Sequence, residues 1–160
     1  MAVTDDTTAG TLPLPTVLVV RRHGARSLGN HDEVVAAFET LCSDETLGLR
    51  VTVFDSTNAT VREQAALFRQ SALVVAPHGS GLSNCVFLRP GAIVIELLPW
   101  EYPNLTFYVA LSWLPVLHAA MVVDGANAYG AMVADVRALT EHLRELRLEQ
   151  LETGIFAHTP

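Results

Sequence analysis

The sequence predicts an α/β fold in which a parallel sheet carries helices on both faces. Three observations predict it. Short apolar, β-branched runs alternate with stretches of helical periodicity along the chain. The runs are continuously apolar, as strands buried on both faces must be. No Pro-, Gly- or Ser-rich linker and no internal repeat divides the chain, so one Rossmann-like layer accommodates it.

The elements follow in order. Residues 16–22, TVLVVRR after Pro15, form the first strand, and HGARSLGN a polar loop. Helical spacing of Val34, Val35, Phe38 and Leu41 predicts a helix over Asp32 to Leu41. Residues 49–55, LRVTVFD, are a second strand that ends in Asp55, which reads as a turn-capping acid. Thr60 and Glu63 have capping-box spacing and open a helix to about Gln70, with Val61, Ala65 and Phe68 on one face. Residues 72–76 are a third strand, and Gly79 to Phe87 a loop turning into a short helix. A Pro90-Gly91 turn delivers a fourth strand over 92–98. Asn104 to Trp113 reads as helix and Leu117 to Val123 as a fifth strand. A long amphipathic helix is expected over Ala131 to Leu151, with Val133, Val136, Leu139, Leu143 and Leu146 inward. The division expected is a disordered leader at 1–15, the domain at 16–152 and a tail at 153–160.

Composition narrows the function classes. The chain has 160 residues, 50% hydrophobic and 17% charged, with mean hydropathy +0.32, which excludes a disordered polymer. The net charge of −7 argues against a nonspecific nucleic-acid binder, and no nucleic-acid partner is expected. All basic side chains are Arg, and a few placed Arg could still hold a small anion. Cys42 and Cys85 cannot make a disulfide framework and read as inert core thiols. The scattered His have no metal-ligand spacing, so no metal is expected. The most apolar stretch, Tyr108 to Val123, is broken by Ser112, Pro115 and His118 and is too short to span a membrane.

In such a sheet ligands bind beyond the carboxyl ends of the strands. The first strand delivers Arg21, Arg22 and Arg26 there, and the third delivers His78, Gly79, Ser80, Gly81, Ser83 and Asn84. Glycines let backbone approach a ligand closely, and a helix start offers amides to a phosphate. The plain alternative is a tight turn with Ser80 as a helix cap. The arginines could equally pair with Asp32 and Glu33. Glu96 closes the fourth strand, where a carboxylate can accept both hydroxyls of a ribose or simply make a salt bridge.

Two resemblances follow from these residues. Val19 to Arg26 with His78 is superficially similar to histidine phosphatases, with His23 as nucleophile, His78 as its partner, and Arg22 and Arg26 on phosphate. That family has Pro where this chain has Leu28, and a larger insert between its two histidines. The longer likeness is to glycosyltransferase family 61. It rests on Arg21, Arg22, Arg26 and Asn30, on Glu63-Gln64 through Phe68, on Pro77 to Asn84, and on Phe87, Pro90-Gly91, Glu96 and Pro99, with Ser80 and Ser83 replacing Ala and Thr. The resemblance covers about Val17 to Val123.

It implies one half of a GT-B glycosyltransferase, an inverting mechanism and a nucleotide-sugar donor such as UDP-GlcNAc or a UDP-pentose. A glycoprotein or polysaccharide hydroxyl would be the acceptor. Arg22, Arg26, His78, Gly79, Ser80 and Gly81 would hold the donor diphosphate and Glu96 the nucleoside, with Arg21, Asn30, Ser83 and Asn84 as further candidates. No cofactor or metal is implied. The catalytic base stays unassigned, with His78 and Glu101 the local options.

A GT-B enzyme has two such halves and this chain has residues for one. It is therefore expected to be a fragment, a degenerate relative, or a half that pairs with another chain. A third reading is a non-catalytic half that binds nucleotide or a partner along Trp100, Tyr102, Phe107 and Trp113. Eukaryotic family members work in the endoplasmic reticulum or Golgi lumen, where the sequons at Asn58 and Asn104 could be modified. The acidic first sixteen residues lack the features of a signal peptide.

Overall fold

The computed structural model describes residues 14–55, 57, 59–125 and 129–153. The expected leader and tail lie outside them, apart from Leu14, Pro15 and Thr153. In chain order the elements are β1 (Thr16–Arg21), α1 (His31–Cys42), a 3₁₀ turn (Glu45–Leu47), β2 (Arg50–Asp55), α2 (Val61–Gln70) and β3 (Ser71–Pro77). A 3₁₀ segment (Ser80–Phe87), β4 (Ile93–Pro99), α3 (Thr106–Leu111), β5 (Leu117–Gly125), β6 (Met132–Val133) and α4 (Val136–Thr153) follow.

The sheet order is β2-β1-β3-β4-β5-β6. The first five strands run parallel, and β6 lies antiparallel on β5. From β1 the chain crosses outward through α1 to β2, then returns through α2 to β3 on the other side of β1. The strand order therefore reverses between β1 and β3, and this is where open α/β sheets leave a crevice for ligands.

Period-two alternation divides the core between the two faces. Val17, Val19, Leu73, Val75, Ile93 and Ile95 pack against Val34 and Phe38 of α1 and Leu139 and Leu143 of α4. Leu18, Val20, Val74, Ala76 and Val94 pack against Phe68 of α2, Leu82 and Cys85 of the second 3₁₀ segment, and Leu111 of α3. Phe54 meets Phe68 edge to face at 5.5 Å. Cys85 is a buried core thiol and Cys42 is only half-buried against the core; burial raises the pKa of Cys42, and burial followed by the charge of Glu96 pushes that of Cys85 up to about 12.

One element differs from the expectation. Residues 131–135 are not the first turn of the last helix; Met132 and Val133 form β6, and α4 starts at Val136. The cause lies far away in sequence. Asn30 donates from Nδ2 to the Ala134 carbonyl at 2.8 Å and accepts from its N–H at 3.0 Å, holding this backbone extended. Other element boundaries shift by a residue or two, within ordinary fraying.

Candidate functional site

The site grows from the carboxyl ends of β1 and β3. Inward-facing Leu18 and Val20 put Arg22 on the α2 side of the sheet, while Arg21 points to the α1 side and pairs with Asp32 at 2.6 Å. The loop 22–30 that follows is shaped by backbone bonds to the β6 region. Arg26 donates to Gly130, Gly29 to Met132, and Met132 back to Ser27, at 2.9, 2.8 and 2.8 Å. Arg26 itself takes a left-handed conformation, φ +58°. Such a backbone is costly for a side-chain-bearing residue and is held here by these bonds.

That loop meets the turn after β3. The Arg22 guanidinium packs directly over Gly79, and a Cβ there would overlap it. Gly79 also has φ +153° and ψ −175°, a region open essentially to glycine alone. Arg26 donates from Nε to the His78 carbonyl at 3.1 Å and lies over the Tyr102 ring, 5.4 Å from its centre. Arg22 donates from Nε to the Ala25 carbonyl. Burial, and then the charge of Arg26, hold the Arg22 guanidinium below the ordinary arginine value. Two guanidinium groups thus lie close enough to repel each other at the rim of exposed Ser80 and the amides that open the 3₁₀ segment. An anion set among them would relieve that repulsion and accept several charge-assisted hydrogen bonds.

Arg22, Arg26, His78, Gly79, Ser80 and Gly81 are therefore neighbours at the carboxyl ends of β1 and β3. Glu96 lies beneath them, 1% exposed. Its Oε1 meets His78 Nδ1 at 2.5 Å and its Oε2 meets His118 Nε2 at 2.9 Å. Both oxygens are occupied inside the protein, as in the salt-bridge alternative for Glu96 and not as an edge carboxylate open to a ribose. The remaining candidates are dispersed. Arg21 lies across the sheet. Asn30 secures Ala134. Asn84 donates to the Gln64 side chain at 2.9 Å, tying the 3₁₀ segment to α2. Ser83 is exposed.

The two histidines of the phosphatase reading do not converge. His23 pairs with Asp55 at the end of β2 at 2.7 Å, and His78 pairs with Glu96 of β4. These strands flank the β1–β3 pair on opposite sides. Asp55 also accepts from the Thr57 N–H and hydroxyl, the turn-capping role read from sequence. The aromatic residues divide too. Tyr102 and Phe107 meet the His78 ring at 6.0 and 5.5 Å, while Trp100 and Trp113 are 73% and 84% exposed.

Asn104 donates to the Tyr102 hydroxyl and accepts from the Thr106 N–H, and Asn58 lies outside the described residues. Sequence reasoning passed over His118; its place two residues before the β5 partner of Glu96, on the same face, is the signal that marks it. A groove of about 500 Å³ lies between β2 and α2, lined by Asp55, Ala59, Glu63, Ala66, Leu67 and Gln70, and includes none of the candidate residues at the ends of β1 and β3. Among the described residues no group of His, Cys, Asp and Glu could hold a metal ion, and no helix is long and apolar enough to cross a membrane.

Comparison with known proteins gives a consistent result. The family model for Glycosyltransferase 61 matches residues 6–95. Three rice (Oryza sativa subsp. japonica) proteins are similar to about half of the chain. Beta-1,2-xylosyltransferase XAX1 is 38% identical over 86 residues, alpha-1,3-arabinosyltransferase XAT3 34% over 88, and beta-1,2-xylosyltransferase XYXT1 36% over 85. The aligned stretch is 54%, 54% and 53% of this chain but 14%, 14% and 17% of those proteins. In architecture the chain is similar to a flavodiiron core, Flv1 from Synechocystis sp. PCC6803, with TM-score 0.57 and 9% identity over 88% of this chain and 37% of that one. That likeness concerns the fold alone.

Proposed function

This chain belongs to the glycosyltransferase 61 family, and we propose that it is the nucleotide-sugar-binding half of a GT-B enzyme that inverts the anomeric centre it transfers. The observation that carries the reading is the convergence of Arg22 and Arg26 with the Gly79–Gly81 turn at the β1/β3 switch point. The xylosyl- and arabinosyltransferase names of the rice relatives favour a UDP-pentose over UDP-GlcNAc as donor and a polysaccharide hydroxyl as acceptor.

In the proposed reaction the acceptor oxygen bonds to the anomeric carbon from the face opposite the diphosphate. The bond from that carbon to the diphosphate oxygen breaks, and its electron pair leaves with UDP. The acceptor proton passes to a base. Arg22, Arg26 and the amides opening the 3₁₀ segment stabilise the charge that grows on the leaving diphosphate, a contribution that is commonly the largest in such catalysis. With the arginines neutralising that charge, no metal ion is assigned a step. A second Rossmann-like half, in the same polypeptide or a partner chain, supplies the acceptor side and the base. The family's setting makes a secretory lumen the proposed compartment.

Titration calorimetry with UDP tests the donor site. Binding by the wild type and a roughly ten- to hundredfold loss in Arg26→Ala or Arg22→Ala is the expected result, the cost of one charge-assisted hydrogen bond. Equal or absent binding in all three proteins would overturn it. A second reading, a non-catalytic half that docks a partner, draws on the exposure of Trp100 and Trp113. It predicts that Trp113→Ser weakens association with the partner and leaves UDP affinity unchanged.

A further inference from the structure

We propose that Glu96 and His118 are positioning residues that fix the His78 ring so that its Nε2 is the nitrogen presented to the donor diphosphate. The inference rests on the donor-site reading above. It starts from a buried carboxylate in an otherwise apolar strand, Ile93–Pro99. A carboxylate in such a place must be paired or protonated. Glu96 is paired twice, through Oε1 with His78 Nδ1 and through Oε2 with His118 Nε2. An ionised carboxylate only accepts, so the proton of a neutral His78 ring sits on Nδ1. Nε2 is left as the ring's other polar atom.

The remaining contacts of His78 limit its movement. Its N–H donates to the Leu97 carbonyl at 2.9 Å and its own carbonyl accepts from Arg26. Tyr102 and Phe107 meet its ring edge on, so a ring flip would have to displace them. His118, itself 6.1 Å from the Tyr108 ring, holds the far oxygen of Glu96 and keeps the carboxylate from rotating away. The arrangement has the logic of a carboxylate orienting a histidine at a reactive centre, applied here to an anion site.

A proton linkage follows. The titratable and charged groups around the His78–Glu96–His118 cluster are Tyr102 and Arg26 at His78, Tyr108 at His118, the Cys85 thiol near Glu96, which stays neutral near pH 7, and Arg22 over the adjoining Gly79. A diphosphate arriving beside this set favours one more proton on the two-histidine cluster. The proton comes from solvent, and Nε2–H of the charged His78 ring then donates to a phosphate oxygen. Affinity should therefore rise as pH falls, a behaviour that a merely structural carboxylate would not produce.

Two measurements on the full chain test this. Nitrogen NMR of ¹⁵N-histidine protein without ligand should show neutral His78 protonated on Nδ1, with that tautomer lost in Glu96→Leu, which offers the ring no acceptor. A wild-type His78 protonated on Nε2 would overturn the assignment. Calorimetry with UDP-xylose, whose phosphates do not titrate near neutrality, in two buffers of different ionisation enthalpy should show proton uptake and tighter binding at pH 6 than at pH 8. Glu96→Gln and His118→Phe should bind about ten- to hundredfold more weakly with a flattened pH profile. Should Glu96→Gln fail to fold, judged by its melting curve, His118→Phe carries the test. A folded variant with wild-type affinity and pH profile would refute the proposal. If UDP-xylose does not bind the wild type while His78 shows the Nδ1–H tautomer, the donor reading fails and the positioning of His78 by Glu96 stands.

Discussion

Gly79 carries two demands at once, a backbone conformation closed to other residues and the contact surface of Arg22. Gly79→Ala should cost about 1–3 kcal/mol in backbone strain and also displace the guanidinium. Thermal denaturation and UDP titration should both register the change, whereas a glycine needed only for a turn would affect the first alone. His31 makes a different prediction. It is buried at the start of α1 with neither ring nitrogen hydrogen-bonded. Burial first, then the charges of Arg21 and His23, lower its pKa, with Asp32 and Asp55 opposing. The folded state therefore keeps the ring neutral while the unfolded chain takes up a proton near pH 6.5. Stability from this site is complete above that pH and is lost as pH falls below it. His31→Leu should leave stability at pH 7.5 unchanged or raised, and reduce the fall in melting temperature between pH 7.5 and 5.5. At this scale Arg22, Arg26 and Gly79 were legible as candidates because their chemistry is local, and the structure brings them together. The engagement of Glu96 was not, because it depends on a histidine that only strand order brings alongside.

The elements were legible wherever a local signal defined them. Thr60 and Glu63 form the capping box their spacing suggested: the Thr60 hydroxyl accepts from the Glu63 N–H, and Glu63 accepts from the Thr60 N–H at 2.7 Å. Thr60→Ala should destabilise the protein by about 1 kcal/mol, read from urea unfolding with an unchanged slope. Glu63→Gln should cost less, since a glutamine oxygen can still accept. β6 was illegible for the complementary reason. Val133 and Val136 fit a helical stripe, and nothing nearby in sequence reveals that Asn30 holds Ala134 extended. The omission matters for the site because the β6 region fixes the loop that carries Arg26. A short strand on the sheet edge thus helps to set a guanidinium near the middle of the sheet.

At the scale of the whole molecule, the alternation of apolar runs was enough to indicate a parallel, doubly covered sheet, but it could not place the reversal between β1 and β3. That reversal decides which loops become neighbours. The matched stretch is about one seventh of XAX1 and XAT3, and on the proposed reading a sugar acceptor would meet this chain across its exposed surface. Trp100 and Trp113 are part of that surface. Replacing both with Ser should move the melting midpoint by no more than about 2 °C, because exposed side chains contribute little to folding. A donor held only by the folded state should stabilise it in proportion to saturation. UDP at about a hundred times its dissociation constant should contribute roughly 2.7 kcal/mol, or about 5–10 °C for a domain of this size.

The hydrogen bond from Arg26 to His78 spans 52 positions. Cutting the backbone in the connection between β2 and α2 would leave each of those residues on a separate peptide, both arginines on one and the glycine turn on the other. With the proposed donor site, neither peptide alone would retain UDP, and mixing them should restore retention only as the parallel ladder between β1 and β3 zips together. Ligand capture would then serve as a split reporter of native topology, with the pyrophosphate acting as the template that draws the two pieces into register.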